Sequence, residues 1–403
     1  FNHPDPNGVH MNCMLSIFCQ LRDGKYDVEV DPFHTILYKE KCRTSKKEFT
    51  QLLSNAYVWY DFWSQPQPTM TKSPEKANIL KKDLFRAIES MGAYVERADC
   101  LVIVTPGTVH SDRIDSRSGR KKYVCFRTFR RRGLCVLEMF AAMCSRRKTH
   151  PILLLQSSKT APKWLSPLEA QKLAVGESEF TCCERNHENN MSCSRNAVKD
   201  IMIRLVDKRV ACLYETDKTV VLGRLWFVQK QWFLRGFTTE DLKLEEFKDV
   251  KGCKEILVWD DTLDGEWFDR GGISLLLYGI GWNNASLVRL LLNSIKRVTD
   301  QTERHRRLLS VAPKSGFPQV GITSRMNSLC VAMFMAGPEI VEMLLHSGID
   351  PTNCTDGKGI DPFMFACVTT KIENLRCWLR YVKSWNVNRR NNFNGATALQ
   401  TAV

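Results

Sequence analysis

Between Gly271 and Val403, four short stretches repeat the same apolar phase, and this self-similarity limits the fold more than any other feature of the chain. Taking Ser274, Asn327, Asp361 and Thr397 as equivalent positions gives spacings of 53, 34 and 36 residues. Two residues beyond each stands an apolar side chain, Leu276, Leu329, Phe363 and Leu399; five beyond stands a small one, Gly279, Ala332, Ala366 and Ala402. Small residues let two helices approach closely. Fourteen beyond come Val288, Val341 and Leu375, and seventeen and eighteen beyond come Leu291-Leu292, Leu344-Leu345 and Trp378-Leu379. Each unit therefore reads as two helices, the second burying one face at constant phase. The longer first spacing marks an insertion around Arg297 to Gly321, whose Glu303-Arg304-His305-Arg306-Arg307 run suits a solvated loop or a helix extension.

The four signatures read Ser274-Leu275-Leu276-Leu277-Tyr278-Gly279, Asn327-Ser328-Leu329-Cys330-Val331-Ala332, Asp361-Pro362-Phe363-Met364-Phe365-Ala366 and Thr397-Ala398-Leu399-Gln400-Thr401-Ala402. This pattern resembles the ankyrin repeat, whose first helix opens Thr-Pro-Leu-His-x-Ala and whose period is about 33 residues. Every copy departs from that wording. Ser, Asn, Asp and Thr at the first position all keep a side-chain oxygen able to cap the helix, which is the physical content of the motif. Gly348-Ile349-Asp350 resembles the family's turn into the next unit. The resemblance implies an all-α solenoid over 271–403, about four units with the last truncated, serving as a binding scaffold for a protein partner.

A chain of 403 residues is long enough for two or three domains. With 43% hydrophobic and 25% charged residues it has the composition of a folded protein, and no apolar run approaches the roughly 18 residues of a membrane span. Phe1 opens the chain and Val403 stops inside a repeat, so both ends read as truncated and a leader upstream stays open. The sixteen cysteines are scattered through a chain that needs no staples; reduced thiols in an intracellular, cytoplasmic setting are expected. The net charge of +14 is uneven. Ser111 to Lys148 carries twelve Lys or Arg against Asp112, Asp115 and Glu138, so a local basic surface is expected there. Tyr123, Phe126 and Phe129 are interleaved, yet no nucleic-acid motif frames them, and a nucleic-acid partner is disfavoured.

Residues 1–24 show no clear pattern. From Lys25 to about Gln156 short β-rich runs alternate with helical ones. Tyr26 to Val30 and Thr35 to Tyr38 compete as first strand. Ala56-Tyr57-Val58-Trp59-Tyr60 is aromatic and β-branched, reads as a strand, and runs through Asp61 to Pro66 and Pro68, which stop it. Ser73-Pro74-Glu75 starts a helix with an apolar stripe of Leu80, Leu84, Ile88, Met91 and Val95. Cys100 to Thr105 and Pro151 to Leu155 are continuous apolar runs, as strands buried on both faces would be. This alternation argues for an α/β domain with an open parallel sheet, where sites form at strand carboxyl ends; Asp61 falls at such an end.

Ala87-Ile88-Glu89-Ser90, Ala98 to Pro106, and Arg131-Arg132-Gly133-Leu134-Cys135-Val136-Leu137-Glu138 together resemble the Toll/interleukin-1-receptor (TIR) order of helix, central strand, long loop and Trp-Cys-x-x-Glu helix. Ala93-Tyr94-Val95-Glu96-Arg97 and Arg130 to Gly133 also resemble uncharacterised dinoflagellate algal proteins that place such a module before ankyrin repeats. The TIR resemblance implies a flavodoxin-like domain over 25–195, an assembly or signalling role through self-association, and, in its enzymes, cleavage of the nicotinamide–ribose bond of NAD by the glutamate that matches Glu138. Leu134 replaces the aromatic residue. A carboxylate suits that task because it can hold a ribose hydroxyl and stabilise an oxocarbenium-like centre.

Plainer readings stand beside these. Glu138 could neutralise Arg130, Arg131 and Arg132 from a helix surface, and Asp61 could cap nearby N–H groups. The arginines suit an anion such as phosphate, or a solvated loop. Cys182, Cys183, His187 and Cys193 could supply zinc ligands, though their spacing matches no standard two-pair pattern, and no metal or resident cofactor is expected. Asn196 to Tyr214 reads as an amphipathic helix with Ile201, Leu205, Val206 and Val210 on one side. Leu222 to Leu234 is dense in Leu225, Trp226, Val228, Trp232 and Phe233, and Lys254 to Trp259 reads as a short strand. The span 196–270 is thus expected to be a connector covering the open end of the repeats. Two functions follow: an interaction scaffold, or an NAD-consuming enzyme directed by its repeats.

Overall fold

The computed structural model describes residues 5, 7–30, 43–64, 71–114, 119, 121–145, 152–165, 174–180, 183, 193–215, 219–237, 250–259, 267–392 and 394–402. The chain divides into two compact units, Phe1–Leu205 and Val206–Val403. The first holds a small mixed sheet with helices; the second is helical.

In the first unit, α1 (Val9–Arg22) and α2 (Lys46–Leu53) precede and follow β1 (Val28–Val30) and the start of α2 is fixed by a Ser45–Glu48 capping box. β2 (Arg43–Thr44), β3 (Leu101–Val104), β6 (Ile152–Leu155) and β7 (Lys163–Trp164) complete a sheet of order β2-β1-β7-β6-β3. β1 runs parallel to β7 and β3 parallel to β6, but β6 and β7 are antiparallel, as are β1 and β2. The sheet is therefore mixed, not the parallel sheet expected. The connection over 156–162 is too short for a helical crossover, so β7 can only return antiparallel to β6. Tyr26 to Val30 supplies the first strand; Thr35 to Tyr38 lies outside the described residues.

Leu153 and Leu155 join Ile17, Leu21, Val28 and Phe49 in one apolar cluster beneath α1 and α2. Ile152 and Leu154 are equally buried and, by strand alternation, face the other side, so β6 is covered on both faces. α4 (Pro74–Arg97) starts where Ser73 Oγ accepts from the Lys76 N–H at 3.4 Å, and it packs on α6 (Gly133–Cys144). Between β3 and α6 come the antiparallel pair β4 (Thr108–Ile114) and β5 (Lys121–Val124) and the single turn α5 (Phe126–Phe129).

Ala56 to Tyr60 is not a strand. Trp59 stacks on Tyr94 of α4, ring centroids 5.3 Å apart and 8° from parallel, while Tyr57 is fully exposed. Asp61 accordingly opens the short helix α3 (Asp61–Ser64) instead of ending a strand; Pro66 and Pro68 lie outside the described residues.

Helix α7 (Ser194–Tyr214) runs through the division between units. In the second unit α8 (Val220–Val228) and α9 (Lys230–Phe233) bury Leu225, Trp226, Val228, Trp232 and Phe233. Lys254 to Trp259 forms no strand: α10 (Val250–Ile256) occupies it and Val258 follows with φ 49°. The carbonyls that would have joined a sheet are taken by Arg224, whose Nε donates to Leu257 O at 2.8 Å and whose Nη2 donates to Val258 O. Arg224 also pairs with Asp269 at 3.3 Å, and Tyr278 donates to Asp269 at 2.6 Å, a buried polar network where α8 meets the first helix pair.

That pair is α11 (Leu275–Gly281) and α12 (Ala285–Lys296); the insertion forms α13 (Gln301–Leu309). The next pairs are α14 (Ser328–Met335) with α15 (Pro338–Leu345), and α16 (Pro362–Val368) with α17 (Ile372–Tyr381), followed by α18 (Ala398–Ala402). First helices touch in series, α11 to α14 to α16 to α18, and second helices likewise, α12 to α15 to α17. Ser274, Asn327, Asp361 and Thr397 each accept the N–H three residues on, at 3.0, 3.0, 2.9 and 3.4 Å. Ala332 and Ala366 are fully buried, and a Cβ added to Gly279 would already touch Leu287, Val288 and Leu291 at 3.4 Å. Two of the expected core leucines are exposed. Leu399 is 76% exposed because no second helix follows α18 among the described residues. Leu379 is exposed because α17 turns Asn374, Cys377 and Trp378 inward, and the next residue points about 100° away.

Candidate functional site

The site begins with α6. Its first residue, Gly133, lies against Phe180, where a Cβ would come within 2.3 Å of the ring, and its N–H donates to Glu179 O at 3.0 Å. This anchorage sets the helix so that Cys135, Val136, Leu137 and Met139 are buried, with Glu138 left half-buried one turn in. Burial and the neighbouring Asp61 carboxylate push the Glu138 carboxyl up to about 8, against the opposing pull of Arg132. The same neighbourhood acts on Cys135, whose thiol burial raises to about 12, with Arg132 opposing and with Glu138 and Asp61 adding to the rise. The short helix α3 thus brings Asp61 within electrostatic reach of Glu138, across many residues of sequence.

Tyr60, beside Asp61, is raised by burial and by the charges of Asp61 and Asp5. Asp5 is buried; burial opposes its ionisation, but hydrogen bonds from the Met11 N–H at 2.9 Å and from His10, with Nδ1 at 3.1 Å, hold it below the usual carboxylate range. The group therefore comprises an acid kept protonated to near neutrality, a second carboxylate, a guanidinium and a phenol.

The three arginines do not share one direction. Arg130 stacks on Phe126 at 5.3 Å, Arg131 pairs with Glu179 at 4.0 Å, and Arg132 lies over Phe129 at 5.7 Å and beside Glu138. Of the cysteine–histidine cluster, Cys182 and His187 lie outside the described residues, and the Cys183 and Cys193 sulfurs are 3.7 Å apart. Among the described residues no three His, Cys, Asp or Glu side chains gather as metal ligands.

Arg132 acts on Glu138, as the charge pattern allowed, whereas Tyr60 and Asp5 come to this neighbourhood through tertiary packing that no local pattern reports. The repeats offered a signal that went unused. Two residues before each capping residue the backbone is left-handed, at Gly272, Arg325, Gly359 and Gly395, with φ of 74°, 53°, 75° and 69°. Asp269 and Asp356, each five residues before a cap, accept two backbone N–H groups of that turn.

No protein-family model matches the chain, and no curated protein matches it. No helix among the described residues is long and apolar enough to cross a membrane.

Proposed function

We propose that this chain is an interaction protein in which ankyrin-type helix pairs dock a protein partner and the N-terminal unit serves as a TIR-like assembly module. The observation that carries this reading is the fourfold turn: a left-handed residue, then two positions later an oxygen that caps the first helix, at Ser274, Asn327, Asp361 and Thr397. Matching turns on helices that touch one another in series are what a repeat scaffold would have. Partners captured by cross-linking to the full chain should slow backbone amide exchange within 267–402. Protection confined to residues before 205 would remove the reading.

A second reading is favoured by the Asp61–Glu138 neighbourhood: NAD hydrolysis in the TIR-like unit. Glu138, protonated near neutrality, could hold a ribose hydroxyl as the nicotinamide leaves, with Asp61 and Arg132 setting its charge. Purified protein incubated with NAD should release nicotinamide, and Glu138→Gln should abolish release. Absence of release from wild type, dilute or assembled, ends this reading.

A further inference from the structure

The backbone that seats the start of α6 is joined to α7 through two cysteines. Gly133 donates to Glu179 O, Glu179 donates back to Arg131 O at 2.7 Å, and the Phe180 ring fills the space that a Cβ at Gly133 would need. Cys183 belongs to the same turn, since its N–H donates to Phe180 O at 3.0 Å. Cys193 stands immediately before α7: its carbonyl accepts the Asn196 N–H at 3.1 Å, and Arg195 in the first turn of that helix donates to Gly176 O at 2.9 Å. The two sulfurs meet at 3.7 Å across ten residues of sequence. Both are half-buried, whereas Cys13, Cys135 and Cys144 of the same unit are buried, so a dissolved oxidant reaches this pair before those three. A disulfide needs about 2.05 Å between sulfurs, and the approach still to be made is of the order that rotation about one Cα–Cβ bond supplies.

We propose that Cys183 and Cys193 form a reversible disulfide, a redox site that ties the Phe180 backbone, and with it the seat of α6, to the start of α7. The oxidant is a small disulfide of the glutathione class. The thiolate of one cysteine attacks a sulfur of oxidised glutathione and expels one glutathione thiolate, leaving a mixed disulfide; the thiolate of the other attacks the protein sulfur of that intermediate and expels the second. Two thiols of the chain are oxidised by two electrons in total, one glutathione disulfide is reduced to two thiols, and the two cysteine protons pass to the departing thiolates. The new bond closes a loop of eleven residues, 183–193, and removes freedom chiefly from the unfolded chain. A partly exposed bond of this kind is of the labile class that reducing thiols reopen. The site stands whichever of the two functional readings above holds.

The test is differential alkylation of the full chain, first reduced and then equilibrated with mixtures of reduced and oxidised glutathione, followed by peptide mapping in a mass spectrometer. A Cys183–Cys193 linked peptide should be the first intramolecular bond to appear, at a rate independent of protein concentration, and dithiothreitol should remove it. Cys182→Ser should keep the linkage and Cys183→Ser should lose it. A melting midpoint of the oxidised chain should lie about 5–10 °C above that of the same chain held reduced, a shift absent from Cys183→Ser. Absence of the linked peptide, a bond from Cys193 to Cys182 instead, linkage only between chains, or an oxidised chain that melts no higher would each overturn the inference. So would zinc retained by the purified chain that shields both thiols from alkylation until a chelator is added, because the pair would then belong to a metal site.

Discussion

Glu138 is the residue whose titration most exposes the design of the N-terminal unit. Its folded value of about 8 lies above its ordinary value of 4.5, so between those limits the unfolded chain has released a proton that the native chain keeps. Stability therefore falls as pH rises from about 4.5 to about 8 and is level beyond. Glu138→Gln removes this penalty: the melting midpoint should rise at pH 8 and change little at pH 4.5, by about 2–4 °C per kcal/mol recovered. An equal rise at both pH values would show that the charge is not the cause. Gly133 is a steric counterpart. Gly133→Ala forces a methyl into Phe180 and should destabilise by about 1–3 kcal/mol in denaturant titration. Glu138 was visible through its match to the TIR-like helix and Asp61 through an expected strand end that is in fact a helix start, but their proximity is set by tertiary packing, to which neither residue's neighbours refer.

At the level of elements, the repeats were far more legible than the sheet. A helix pair writes its buried face at fixed offsets, so Ser274, Asn327 and Asp361 could be aligned and their caps anticipated. Strands of two to four residues write almost nothing, and Lys254 to Trp259 read as β because its run of four apolar residues is too short to show either period. Links between pairs were silent too. Buried Asn374 donates to Ala332 O, Met333 O and Ala336 O, closing the end of α14 from the following unit. Asn374→Ala removes one donor from each, while Ala332 O keeps the Ala336 N–H and Ala336 O keeps the Lys371 ammonium, and should cost about 1 kcal/mol, measurable as a loss in urea midpoint with unchanged slope. A larger cost awaits Asp269→Ala, which strands Arg224 and Tyr278 inside: about 3–5 kcal/mol by the same assay.

For the whole molecule, two compact units predict two calorimetric transitions. Glu138→Gln should move one and Asn374→Ala the other; a single transition shifted by both would show that the units melt as one. Length and composition made a multidomain chain legible, but the division was placed by packing. The segment expected to be a connector covering the repeats contributes Arg224 and Trp259 to the same interior as Tyr278 of the first pair. Its aromatic density and its place before the repeats were visible; the individual contacts, such as Arg224 with Asp269, were not, because an apolar face carries no address.

The recurring turn before each first helix is specified by little more than the sign of one backbone angle and the presence of one oxygen atom. Mutation can therefore exchange most of the letters in a copy, as Arg325 for glycine already illustrates, while the helices stay where they are. Successive copies are free to drift apart in what they offer outward, so one chain can evolve a row of unlike contacts on a frame that never changes pitch.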